Sequence, residues 1–147
     1  MTDPYADSYR QRMSEFGPNL WERLHEVPTL PADRALDVVR YLLQLACQPT
    51  HIAPILLGRR SLVRIPRRWL LEHLEAAAAE ALDLADEWEY RRFIETCCFL
   101  DVGLAEQVAQ QGLTSEHSAI REAAEGFRGA CKQFADEHGA SAAQPPC

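Results

Sequence analysis

The chain has 147 residues, a net charge of −7, 47% hydrophobic and 25% charged residues. That make-up suits one globular domain, which at this length buries roughly 68–70% of its unfolded surface without metal or disulfide staples. No apolar run approaches the ~18 residues that span a bilayer, and the polar start MTDPYADSYRQRM lacks a signal-peptide core, so no membrane partner and a cytoplasmic location are expected.

Taken in chain order, the pattern is helical almost throughout. Tyr5, Tyr9, Met13 and Phe16, then Leu20, Trp21 and Leu24, recur at helical steps, predicting short helices over 5–16 and 19–26 with Gly17-Pro18 between them. Val27-Pro28 and Leu30-Pro31 predict a turn, with Pro31 suited to a first helical position. From Ala32 to Cys47, Asp33, Asp37, Arg40, Gln44 and Gln48 trace one polar stripe. The remaining face (Ala35, Leu36, Val38, Val39, Leu42, Leu43, Leu45 and Ala46) is wide enough to pack on more than one side. Thr50 is the candidate cap of a helix to Ile65, in which Pro54 is tolerated within the first turn.

Pro66 opens a helix to Leu82 whose buried face is Trp69, Leu70, Leu74, Ala77, Ala78, Ala81 and Leu82. The alanines at 76–79 allow close approach of a neighbour. Asp86 caps a helix to Leu100 carrying Tyr90, Phe93, Ile94, Cys97 and Leu100 on one side. Asp101 caps a short helix to Gln111, with Gly112 placed for its C′ position. The last helix runs from His117 to Glu137 on a stripe of Ile120, Ala124, Phe127, Cys131 and Phe134, and the polar residues 139–147 read as a disordered tail. Nothing alternates with the two-residue period of a strand. The expected fold is therefore all-α, one helical domain over 1–138, built of stacked antiparallel hairpins because the connections are short.

In SEHSAIREAAEGF, residues 115–127, a polar cap is followed by Ile120, Arg121, Ala123 and Ala124. The string resembles the second half of a HEAT repeat. A weaker version lies at 50–65, with Leu57, Arg59, Arg60 and Leu62. The resemblance covers about residues 32–137 and implies a solenoid that binds other macromolecules along a surface, without a cofactor. An irregular helical bundle is the alternative architecture.

Catalytic signatures are missing from the sequence. The seven glycines form neither GxGxxG nor GxxxxGK[ST], and no serine sits in GxSxG. Histidines 25, 51, 73, 117 and 138 never pair as HxxxH. One Glu-x-x-His, Glu22 to His25, falls short of the two such motifs and further glutamates of a di-iron bundle. His73 reads as a solvated helix residue. The odd set of cysteines (Cys47, Cys97, Cys98, Cys131 and Cys147) forms no disulfide framework or C-x-x-C pair, so reduced thiols packing as small apolar residues are expected. In the adjacent Cys97-Cys98 pair, one thiol should be core and the other boundary. The chain is thus expected to be non-enzymatic, with no cofactor and no metal.

Charge carries the functional signal. Residues 1–69 hold ten arginines against seven acids, whereas residues 70–147 hold five basic residues against fifteen acids. Arg59, Arg60, Arg64, Arg67 and Arg68 stand within ten residues with no acid among them, a pattern that can bind phosphates or an acidic partner. Asp83, Asp86, Glu87 and Glu89 follow, and pairing between the two groups would leave the arginines a structural role. The favoured reading is a protein-interaction scaffold whose acidic surface steers a basic partner, for example a bacterial immunity-type protein or an adaptor. The alternative is nucleic-acid binding through the 59–68 arginines, against which the net charge of −7 counts.

Overall fold

The computed structural model describes residues 3–138, with side chains as far as residue 128. The described residues form seven α-helices and two 3₁₀ segments joined by short connections, with no strand among them: the fold is all-α. The expected tail at 139–147 lies outside the described residues, as do the side chains of Cys131 and Phe134. The described residues divide into two compact units, on either side of the junction between Leu82 and Asp83.

In the first unit, α1 spans Pro4–Phe16 and is capped by Asp3, whose side chain accepts from the Tyr5 amide. Its Tyr9, Met13 and Phe16 are buried at steps of four and three. The helix expected over 19–26 is not formed. Asn19 takes a left-handed conformation, φ 53°, which an asparagine tolerates better than most residues. The chain then winds as two 3₁₀ segments, Leu20–Glu22 and Leu24–Thr29, the second containing Pro28. Leu20, Leu24 and Val27 still enter the core.

Helix α2, Ala32–Ala46, is the hub of this unit and packs on both α3, Ile52–Arg64, and α4, Arg67–Ala81. Its buried residues, Ala35, Val38, Val39, Leu42, Leu43 and Ala46, are those of the wide apolar face. Half-buried Arg40 adds ion pairs to Asp37, at 2.7 Å, and to Glu80 on α4. Pro31 and Pro66 each occupy the N-cap rather than the first helical position. The cap of α3 is His51 rather than Thr50, whose hydroxyl lies 2.8 Å from the His51 Nδ1.

The second unit holds α5, Glu87–Leu100, α6, Val102–Gly112, and α7, Ser118–His138, which pack on one another. Asp86 caps α5 through the amides of Trp88 and Glu89, and Asp101 caps α6 through that of Leu104. Before α7, the Ser115 hydroxyl accepts from the His117 amide and Arg121 donates to the Ser115 carbonyl. Ile120, Ala123 and Ala124 are buried. Gly112 is the last residue of α6, not a left-handed residue beyond it. A Cβ there would fall 1.9 Å from the Tyr90 hydroxyl and 2.9 Å from the Ala124 Cβ, so space selects the glycine.

Tyr90 is buried and donates to the Val108 carbonyl at 3.2 Å. Burial, assisted by Cys97, pushes its phenol up from 10.0 to about 12. Below pH 10 the phenol is neutral in both folded and unfolded chains. Between about pH 10 and about 12 the unfolded chain loses the proton while the folded one keeps it, so stability is expected to fall across that window. Urea midpoints measured through this range should decline, and Tyr90→Phe should make the decline shallower. An unchanged decline in the variant would contradict the assignment.

Candidate functional site

The five arginines at 59–68 serve different ends. Helix α3 stops at Arg64 and Pro66 caps α4, so no single helical side carries them all. Arg64 donates from Nη1 to the Trp21 carbonyl at 2.7 Å and from Nη2 to the Glu22 carbonyl at 2.9 Å. It thereby clips α3 to the end of the first 3₁₀ segment, where carbonyls lack partners within the turn. Arg68 is almost fully exposed, with its Nε 3.6 Å from Glu72 one turn along α4. Arg59 and Arg67 are half-buried with interactions of their own, and Arg60 is exposed.

Arg60 and Arg64, one turn apart on α3, line a cleft of about 220 Å³ within the first unit. Helix α1 adds Ala6, Tyr9 and Arg10, the 3₁₀ segment adds Trp21, and α3 adds Leu57 and Ser61. The Arg10 guanidinium lies 4.8 Å from the centroid of the Trp21 ring, within cation–π range. At the buried end, the Tyr9 hydroxyl is 2.8 Å from Ser61 Oγ, which in turn donates to the Leu57 carbonyl at 2.7 Å. Burial raises the Tyr9 pKa, against the lowering effects of the Ser61 hydrogen bond and the Arg64 charge. Its lining residues include three arginines and no acid, and most of the surface they present is apolar.

The acids at 83–89 are largely devices of the turn and of α5. Asp83 accepts from the Ala85 amide, Asp86 is the N-cap, Glu89 accepts from the Asp83 amide, and Glu87 pairs with Arg91 at 2.9 Å. Carboxylates in a first helical turn are also favoured by the helix dipole. Amid them stands Trp88, 57% exposed. Phe99, 45% exposed, lies three turns further on the same side of α5, and the Arg92–Glu95 ion pair falls between them at 3.0 Å. A groove on the second unit is lined by Arg91, Ile94 and Glu95 of α5 and Ala123, Gly126 and Phe127 of α7.

Other candidate residues take structural places. Glu22 and His25 are exposed on separate 3₁₀ segments rather than on one α-helix. His73, expected in solvent, is half-buried: Nδ1 donates to the Trp69 carbonyl at 2.7 Å and the ring stacks on that indole, centroids 4.4 Å apart. Cys97 is buried and Cys98 half-buried, the division expected for adjacent helical residues. Among the described residues no group of three His, Cys, Asp or Glu side chains is placed to hold a metal, and no helix is long and apolar enough to cross a membrane.

Sequence reasoning missed Arg10, Trp21 and Trp88. The first two meet Arg60 from a different helix and a 3₁₀ segment far away in the chain, a proximity no local pattern encodes. Trp88 was accessible to it, because it falls outside the stripe of Tyr90, Phe93, Ile94, Cys97 and Leu100. In comparisons with known proteins, no family model, curated protein or solved structure matches the chain.

Proposed function

We propose that the chain is a non-enzymatic interaction scaffold, of HEAT-like character, that binds a basic protein partner through its acidic second unit. The observation that carries this reading is Trp88, largely exposed beside Asp86, Glu87 and Glu89. Tryptophan is among the residues that most often anchor interfaces, and carboxylates around it favour a partner presenting lysine or arginine near an apolar socket. Residues 83–147 hold twelve acids against five basic residues, so the field around the anchor is negative. An immunity-type inhibitor of a basic toxin, or an adaptor encoded beside its partner, fits these properties in a cytoplasmic setting.

The test is binding to basic proteins encoded by adjacent genes, with association and dissociation followed separately. Trp88→Ala is expected to weaken the complex by about thirtyfold or more, mainly through faster dissociation. Neutralising Glu87 and Glu89 to glutamine should slow association and flatten its dependence on salt. Binding that ignores both changes would refute the acidic-surface reading.

The second reading, nucleic-acid binding through the 59–68 arginines, is supported by the exposure of Arg60 and Arg64 on α3. A shift of short duplex DNA at low salt, lost in Arg60→Glu/Arg64→Glu, would favour it. The overall charge of −7 counts against it.

A further inference from the structure

We infer that α5 pairs with the α5 of a second copy of the chain, antiparallel about a two-fold axis, through a stripe of Trp88, Arg92, Glu95 and Phe99. This self-association goes beyond the proposed partner binding and does not rest on it. Because Trp88 serves both, the dimer and the complex with a basic partner exclude one another.

The four residues follow at steps of four, three and four, which aligns them along one side of α5. The buried Tyr90, Phe93 and Cys97 lie on the opposite side. At the two ends of the stripe stand the exposed rings of Trp88 and Phe99, and between them is the part-exposed Arg92–Glu95 ion pair at 3.0 Å. The aromatic pair and the charged pair share one midpoint, between Phe93 and Ile94. A two-fold axis through that point, perpendicular to the helix, sets Trp88 against Phe99 of the second copy and Arg92 against Glu95 of the second copy. Each contact then recurs with the copies exchanged, as an isologous interface requires. The rings lie roughly 16 Å apart along the helix, so both aromatic pairs and the central charges fit within one helix–helix contact.

Charge order selects the occupant. A wholly basic segment laid along this stripe would meet Arg92, and a wholly acidic one would meet Glu95. The same stripe reversed answers both, with opposite charges facing across the axis. The acids near its ends add little repulsion between copies: Asp86 and Asp101 are engaged as helix caps, and Glu87 pairs with Arg91. The outward side of α3 shows what is missing elsewhere. Ile52, Leu56, Arg59 and Val63 repeat the same spacing, and the three aliphatic side chains are exposed. That stripe holds an arginine without an acid, and reversed upon itself it would bring Leu56 against Arg59.

Analytical ultracentrifugation of the full chain over a range of concentrations tests the assignment. A monomer–dimer equilibrium is expected, with Trp88→Ala and Phe99→Ala each weakening the dimer by about tenfold or more. Arg92→Glu alone and Glu95→Arg alone place like charges across the axis and should weaken it by about tenfold or more. The exchanged variant Arg92→Glu/Glu95→Arg keeps the stripe self-complementary and should return to within about threefold of the parent. Ile52→Ser/Val63→Ser, on α3, should leave the dimer intact. A chain that stays monomeric at every concentration would overturn the dimer while leaving partner binding through Trp88 untouched. An exchanged variant as weak as the single ones, with the parent's helical circular dichroism and urea midpoint, would overturn the antiparallel α5 geometry. Loss of the dimer in Ile52→Ser/Val63→Ser would move the interface to α3, and growth beyond dimers would replace the closed two-fold contact with a head-to-tail one.

Discussion

Replacing Gly58 by alanine should destabilise the chain by about 2 kcal/mol, although the same change inside a helix ordinarily stabilises. Helix α3 crosses α2 at this glycine. A Cβ built there would fall 2.6 Å from the Ala46 amide nitrogen, 2.7 Å from the Leu42 carbonyl oxygen and 3.0 Å from the Ala46 Cα. All three atoms are backbone, so no rotamer change relieves the clash and the two helices must separate. Overpacking of this kind costs about 1–3 kcal/mol or more, which exceeds the gain of up to about 1 kcal/mol in helix propensity.

Gly126 supplies the control within the same protein. It lies in α7, and among the described residues nothing comes within 4 Å of the position a Cβ would take there. Gly126→Ala should therefore raise stability by about 0.5–1 kcal/mol. Denaturant midpoints moving in opposite directions for the two variants, with unchanged slopes, is the expected result. A Gly58→Ala protein as stable as the parent would mean that α2 and α3 do not approach so closely.

A large loss is expected in the second unit at Ile94. Its side chain is fully buried on α5, which packs against α6 and α7. Ile94→Ala removes three carbons from a site whose surroundings close in only partly, and such changes cost about 2–5 kcal/mol. Ile94→Val, which removes one carbon and keeps the branch, should cost about 0.5–1.5 kcal/mol. Unfolding followed by helical circular dichroism measures both. Near-equal values for the two variants would show that the site collapses freely and that the core there is loosely packed.

Local pattern was enough for much of the fold. The stripe of α2, the caps Asp86 and Asp101 and the breaks at Pro31 and Pro66 are all legible, because helical periodicity and capping depend on residues within four positions of one another. The failures come where local rules compete. The segment after Gly17 has helical spacing in Leu20, Trp21 and Leu24, yet the left-handed Asn19, the proline at 28 and the Arg64 clip accompany 3₁₀ winding instead. Gly112 looks like a helix stop, but the space around it is taken by Tyr90 from another helix.

The functional features divide along the same line. An arginine run and an acidic run are visible in the sequence, and composition alone determines that residues 70–147 are strongly negative. Their local roles required coordinates: Arg64 is a backbone clip, Arg68 pairs along its own helix, and the acids at 83–89 organise the start of α5. The cleft is purely tertiary, since Arg10 and Trp21 join Arg60 and Arg64 only when α1 and the 3₁₀ segment fold beside α3. Sequence determined the helices and the sign of the charge because propensity, capping and ionisation belong to residues and their near neighbours. Tertiary structure decided which charges remain available and where glycine is indispensable, because those depend on contacts between residues distant in the chain.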